Sequence, residues 1–212
     1  MNLRDKFFPK KPSTFRIHHE EPFADKMLSE KLNEMIPSSH EEPLVVVCIG
    51  TDRSTGDALG PLIGSKLKQK NTSFDVYGTL DQPVHAVNLQ ETMEQINQTY
   101  SKPFIIGIDA CLGRLSSVGV VCLADGPVKP GAGVKKELPP VGDIHMTGIV
   151  NVSGFMEYFV LQNTRLNLVM KMADLIADGI SLSSQKMRPA NVEPNTKRSL
   201  RTSFSDDLLQ LP

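Results

Sequence analysis

The sequence predicts an α/β protein, a three-layer sandwich of helices around a mostly parallel sheet. Three observations predict it. Residues 44–49 and 103–109 are almost uninterrupted apolar runs, the mark of strands buried on both faces. Segments with helical periodicity alternate with such runs, as in crossover-connected parallel sheets. Two of the runs lead directly into segments with an acidic residue, at the strand ends where open α/β sheets hold their ligands.

The elements follow in order. Residues 24–36 fit an amphipathic helix through Met27, Leu28, Leu32, Met35 and Ile36. Leu44-Val45-Val46-Val47-Cys48-Ile49 is the first predicted strand, and residues 50–56 form a polar, glycine-containing loop. A helix then carries Leu59, Ile63 and Leu67, with Leu62 widening the stripe and Pro61 tolerated in the first turn. Residues 74–80 read as a second strand, and 88–100 as a helix with Leu89, Met93 and Ile96 on one face. Strands at 103–109 and 118–123 come next. Residues 127–140 hold four prolines and two glycines, which makes them a loop. A long helix closes the domain over 164–182.

The ends differ. Residues 1–22 read as a flexible N-terminal segment, 23–183 as a single α/β domain, and 184–212 as a flexible tail with a weak turn at 204–211. That tail is basic, through Lys186, Arg188, Lys197, Arg198 and Arg201. Polar, proline-punctuated chain buries too little apolar surface to offset its ordering entropy.

Composition excludes several function classes. The 212 residues carry 23 Lys+Arg and 24 Asp+Glu, a formal net charge of -1, which argues against a globally basic nucleic-acid binder. No apolar run approaches the roughly 20 residues of a membrane span. Cys48, Cys111 and Cys122 form no C-x-x-C pair, and buried free thiols in a reducing compartment account for them. The expected setting is cytoplasmic, with no membrane and no direct nucleic-acid partner.

Three segments carry the chemistry: Gly50-Thr51-Asp52-Arg53-Ser54-Thr55-Gly56-Asp57-Ala58-Leu59-Gly60-Pro61, Ile108-Asp109-Ala110-Cys111-Leu112-Gly113, and Gly142-Asp143-Ile144-His145-Met146-Thr147-Gly148. A phosphate loop is a poor reading, because five residues separate Gly50 from Gly56 and Asp57 stands where a lysine is required. A carboxylate there would repel the phosphate that a helix N-terminus attracts. If the two strands are neighbours, Asp57 and Asp109 share one rim. Two such carboxylates cannot both ionise cheaply, so they hold one proton and offer an acid and a base together. The bland alternatives are a helix-end role for Asp57 and an ion pair of Asp109 with Arg53 or Arg114. His40 and His85 read as loop or helix-start residues.

Together these three segments resemble the YyaC-type family of sporulation proteins, over residues 43–183. That family is in turn similar to the spore germination protease, an atypical aspartic endopeptidase, through the Asp-Ala-Leu-Gly-Pro run and the strand-end Asp-Ala pair. The resemblance implies the phosphorylase/hydrolase-like α/β fold that the hydrogenase maturation peptidases also use. It implies Asp57 and Asp109 as the catalytic pair, no cofactor and no metal. Its partners are a protein or peptide substrate, with small acid-soluble spore protein as one candidate, and a homo-oligomer is compatible with it. Substrate contacts are expected from Gly50, Thr51, Arg53, Gly56, Arg114 and His145, with the N–H groups of Gly50 and Gly56 facing the oxyanion. The maturation peptidases suggest an alternative in which Asp57, Asp109 and His145 hold a metal. A further alternative is a non-catalytic sporulation factor that keeps the pocket to bind a peptide or partner.

Overall fold

The computed structural model describes residues 14–37, 43–131 and 138–187. His40, the turn read at 204–211 and most of the basic tail lie outside the described residues. Twelve labelled segments matter: strands β1 (Thr14–His18), β2 (Leu44–Cys48), β3 (Asp75–Tyr77), β4 (Phe104–Gly113), β5 (Val120–Asp125) and β6 (Ile144–Val152), helices α1 (Ala24–Met35), α2 (Leu59–Gln69), α3 (Leu89–Thr99), α4 (Glu157–Gln162) and α5 (Leu166–Met187), and a 3₁₀ turn at Leu115–Ser117.

The strands form one sheet in the order β1-β5-β6-β4-β2-β3. The pairs β6/β4, β4/β2 and β2/β3 are parallel, whereas β1/β5 and β5/β6 are antiparallel. The sheet is therefore mixed, and its parallel part is the half that holds β2 and β4. Alternation along these strands splits the core in two. Val46, Cys48, Ile106, Ile108 and Met146 pack with Leu28, Leu32, Ile63, Leu67 and Ile176 from α1, α2 and α5. On the other face Val45, Val47, Ile49 and Ile105 pack with Leu89 and Ile96 of α3 and with Val84, Val128 and Val141. Burying each large aliphatic side chain contributes about 1.5–3 kcal/mol, so these two layers hold the sandwich together. The salt bridges Lys66–Asp174 and Lys70–Asp178 tie α2 to α5 at the surface and add little beside that burial.

Two sequence expectations need correction, and two elements had no counterpart in the sequence reading. Thr14–His18, assigned to a flexible end, is an edge strand paired with β5 in unbroken register from Thr14↔Ala124 to His18↔Val120. Ser184 does not begin a flexible tail, because α5 continues to Met187 and buries Ser183 and Ser184. Residues 144–148, read only as part of the 142–148 motif, continue through 149–152 as the nine-residue β6 between β4 and β5. The segment before α5 contains the short α4. The cysteines are all free, with Cys48 buried and Cys111 and Cys122 half-buried.

Helix α2 sits unusually close to the sheet, and its sequence allows this. A Cβ on Gly60 would lie 2.1 Å from the Ile49 carbonyl oxygen, and one on Gly64 would lie 1.9 Å from that of Gly78. These two glycines, one turn apart, let the helix backbone rest on the ends of β2 and β3. That seating holds the preceding loop, and Asp57 with it, over the sheet rim. Gly64→Ala is expected to destabilise the protein by roughly 1–3 kcal/mol or more, read as a lower urea midpoint with unchanged slope.

Candidate active site

The loop between β2 and α2 is held by its own backbone. Ile49 N–H donates to the Ile108 carbonyl (2.7 Å), Gly50 N–H to that of Val84 (2.8 Å) and Thr51 N–H to that of Asp57 (3.2 Å). Gly50 has φ 150°, and a Cβ there would fall 2.0 Å from the Asp57 carbonyl oxygen, so only glycine fits. Farther along, Gly56 N–H donates to the Leu161 carbonyl (2.8 Å) and anchors the loop to α4. The carbonyl of Val84, with the isolated bridge Ile49↔Val84, brings His85 to the same rim.

Asp109 comes from β4. Ile106 and Ile108 face α1, α2 and α5, so the alternation turns Asp109 toward the α3 side. Its partner across β6 is Thr147. A register shift at Cys111/Leu112 interrupts the β4/β6 ladder just beyond, a feature common where strands border sites. Asp57 and Asp109 together line one cavity of about 360 Å³, within the usual range of ligand pockets. Thr51, His85, Lys129, Thr147, Glu157 and Tyr158 contribute other polar groups, and Ile49, Leu112, Val128, Leu138 and Leu161 apolar walls.

The electrostatics of the pair follow from this enclosure. Burial pushes the Asp109 carboxyl up to about 8. The Ala110 N–H, 2.8 Å from Asp109 Oδ1, works against that rise, and the neighbouring Asp57 charge adds to it. Asp109 keeps a partial opening to the cavity, but the walls around that opening are largely apolar. Burial also raises Asp57, and the nearby Ser54 hydroxyl works against the rise. That hydroxyl is itself buried without a hydrogen bond of regular geometry. Among the described residues no ion pair within 4.0 Å reaches either carboxylate. The arginine clamp that would make Asp109 a purely structural residue is therefore not formed there.

The other expected site residues divide. Thr51 lines the cavity beside the pair. Gly50 lines it too, but its N–H and that of Gly56 are both committed to protein carbonyls, so neither faces an oxyanion. Arg53 and Arg114 are exposed and do not line the cavity. His145 lies two residues before Thr147 on β6, and its Nδ1 is 2.7 Å from the Gly126 carbonyl oxygen, outside the cavity. The set Asp57, Asp109 and His145 is thus not assembled, and no group of three His, Cys, Asp or Glu side chains suited to a metal occurs among the described residues. His85 takes the rim position instead. Its Nδ1 accepts from Val87 N–H (3.3 Å), which leaves the neutral ring's proton on Nε2.

Sequence reasoning missed Thr147, Glu157, Tyr158 and Lys129 at this cavity. The Thr147 signal was present. On a strand, 145 and 147 share a face, and 147 is the one level with Asp109. Burial pushes the Cys111 thiol up to about 11, so the one cysteine in the cavity wall stays protonated and unreactive at neutral pH. No helix among the described residues is long and apolar enough to cross a membrane.

Comparison with known proteins places this geometry in context. Residues 16–179 match the family described as "Protein of unknown function (DUF1256)", a span that includes all three chemistry-bearing segments. "Uncharacterized protein YyaC" of Bacillus subtilis (strain 168) is 58% identical over 170 residues, covering 80% of this chain and 83% of its own. Among solved structures, a NiFe hydrogenase maturation protease, HycI, from Thermococcus kodakarensis KOD1 aligns with 71% of this chain and 98% of its own, at 18% identity and a TM-score of 0.43.

Proposed function

The chain belongs to the DUF1256 family, and from its cavity we propose that it is a metal-free peptidase in which Asp57 and Asp109 share a proton. The observation that carries this reading is the Asp109 carboxyl, raised to about 8 beside Asp57 in one half-enclosed cavity. In this pair Asp109 holds the proton and Asp57 acts as the carboxylate.

A bound peptide with its scissile carbonyl between the two then meets an acid and a base. Asp57 takes a proton from water as the water oxygen bonds to the carbonyl carbon. Asp109 gives its proton to the carbonyl oxygen, which becomes a hydroxyl of the tetrahedral intermediate. When the C–N bond breaks, Asp57 returns its proton to the leaving nitrogen, and Asp109 recovers one from the intermediate's hydroxyl. The pair ends as it began. Because Asp109 neutralises the developing oxyanion itself, the committed N–H groups of Gly50 and Gly56 are not needed for that task. Apolar walls limit competing solvent and strengthen these interactions. No step is routed through a metal, since His145 is spent on Gly126.

The resemblance to sporulation proteins supplies the first substrate to try, small acid-soluble spore protein. Incubating it with the wild-type chain across pH 5–8 and following fragments by mass spectrometry tests the proposal. Defined cleavage that persists in chelator is the expected result. Intact substrate throughout would favour the alternative of a pocket that binds a peptide or partner without cutting it.

A further inference from the structure

A second, larger concavity adjoins the aspartate cavity. It holds about 930 Å³ and runs between α2 and α3 along β3. Five consecutive residues, Asp75 to Thr79, line it. Successive side chains of a strand point to opposite faces, so all three residues of β3 border one groove only along the strand's edge. β3 is the last strand of the sheet, with β2 as its single neighbour in the ladder. One side of its backbone therefore faces away from the sheet, into this groove.

The groove walls are hydrophilic. Ser65, Lys68 and Gln69 of α2 stand on one side, and Gln95 of α3 with Tyr100 on the other. Tyr77 and Tyr100 bring their hydroxyls within 3.5 Å of each other at the floor. Most telling is His85, which lines both concavities. The edge groove and the aspartate cavity therefore adjoin at His85.

We propose that this groove receives an extended, hydrophilic polypeptide segment as an added strand on β3 and delivers it past His85 to Asp57 and Asp109. The inference rests on the peptidase reading and names its substrate class: unfolded or extended chain rather than a folded surface or a helix. Main-chain hydrogen bonds to β3 hold the segment, and its side chains point alternately toward Lys68 and Gln69 and toward Gln95 and Tyr100. At about 3.3 Å per residue the three positions of β3 span roughly 10 Å, room for about three paired substrate residues. A second copy of this chain is the competing occupant. The short β3 ladder, three residues long and opened by Asp75, disfavours edge-to-edge self-pairing.

The test uses Asp109→Asn, which retains bound peptide uncut. Random decapeptides are selected on it, and the best binders are remade with single N-methyl groups along the chain. Two results are expected: N-methylation weakens binding at least tenfold at alternate positions and little at those between, and Gln95→Trp or Lys68→Trp, on opposite exposed walls, weakens it at least tenfold. No selected binder, an N-methyl profile without period two, or indifference to both groove-filling variants would overturn the proposal. So would light scattering that shows a dimer lost in those variants. Offering the same peptides to the wild type separates the two readings. Peptides bound in the groove but never cut leave the groove standing and remove the hydrolytic pair. Peptides cut equally by both groove-filled variants do the reverse.

Discussion

Asp109→Asn is expected to lower kcat/KM for peptide hydrolysis by about 10³-fold, within the range of roughly 10²–10⁴ that positioned acid–base groups contribute. The substitution keeps the size of the side chain but removes the proton that the carbonyl oxygen receives. Asp57→Asn is expected to cost a similar factor, because it removes the base that activates water. The double variant should lose little beyond either single one, since the two act as a unit. The pH dependence carries more information than the size of the loss. With Asp109 raised to about 8, wild-type kcat/KM falls above that pH as the acid is lost. The acid limb lies above the ordinary carboxylate value of 3.8, because burial raises Asp57 as well. Steady-state rates on one peptide from pH 4 to 10 read both limbs.

The same carboxyl should make stability depend steeply on pH. In the unfolded chain Asp109 titrates near its ordinary value of 3.8, and in the folded protein near 8. Between those values the native state keeps a proton that the unfolded state has released. Stability is therefore highest below about pH 4 as far as this group is concerned, falls through the window, and levels off above 8. The fall is at most about 1.4 kcal/mol for each unit crossed. Asp109→Asn lacks the ionisation, so the melting-temperature difference between the two proteins isolates it from every other titrating group. The variant should gain on the wild type as pH rises, by on the order of 10 °C between pH 5 and 9. A difference independent of pH would mean that Asp109 ionises as freely in the folded protein as in the unfolded one.

How much of this was legible in the sequence depended on burial. β2 and β4 stood out because both faces of each are covered, and their apolar runs are nearly unbroken. β6 escaped because His145, Thr147 and Asn151 interrupt its run, although they fall on alternate positions as a half-buried strand requires. β1 is five residues at an edge, and only its pairing with β5 gives it structure. α4 has six residues and leaves Phe155, Met156, Tyr158 and Phe159 beside it or within it exposed, so no periodic stripe marks it. At the site, Asp57 was readable from its place ahead of α2 and Asp109 from its place after an apolar run, although β4 continues past Asp109 to Gly113. Which histidine stands near them was not, since the contact of Gly50 with Val84 that brings His85 in joins residues 34 apart. The N–H groups of Gly50 and Gly56 looked free in sequence. Their partners, Val84 and Leu161, come from other parts of the chain.

Titration of the carboxyl carbons of ¹³C-labelled aspartate by NMR, in the wild type and in Asp57→Asn, tests the shared-proton pair most directly. The structure predicts one resonance, absent from Asp109→Asn, that titrates near pH 8 and moves to lower pH when Asp57 loses its charge. If instead the Asp109 resonance titrates near 4 and ignores the change at Asp57, the two aspartates are separate surface-like carboxylates and the proposed chemistry is wrong.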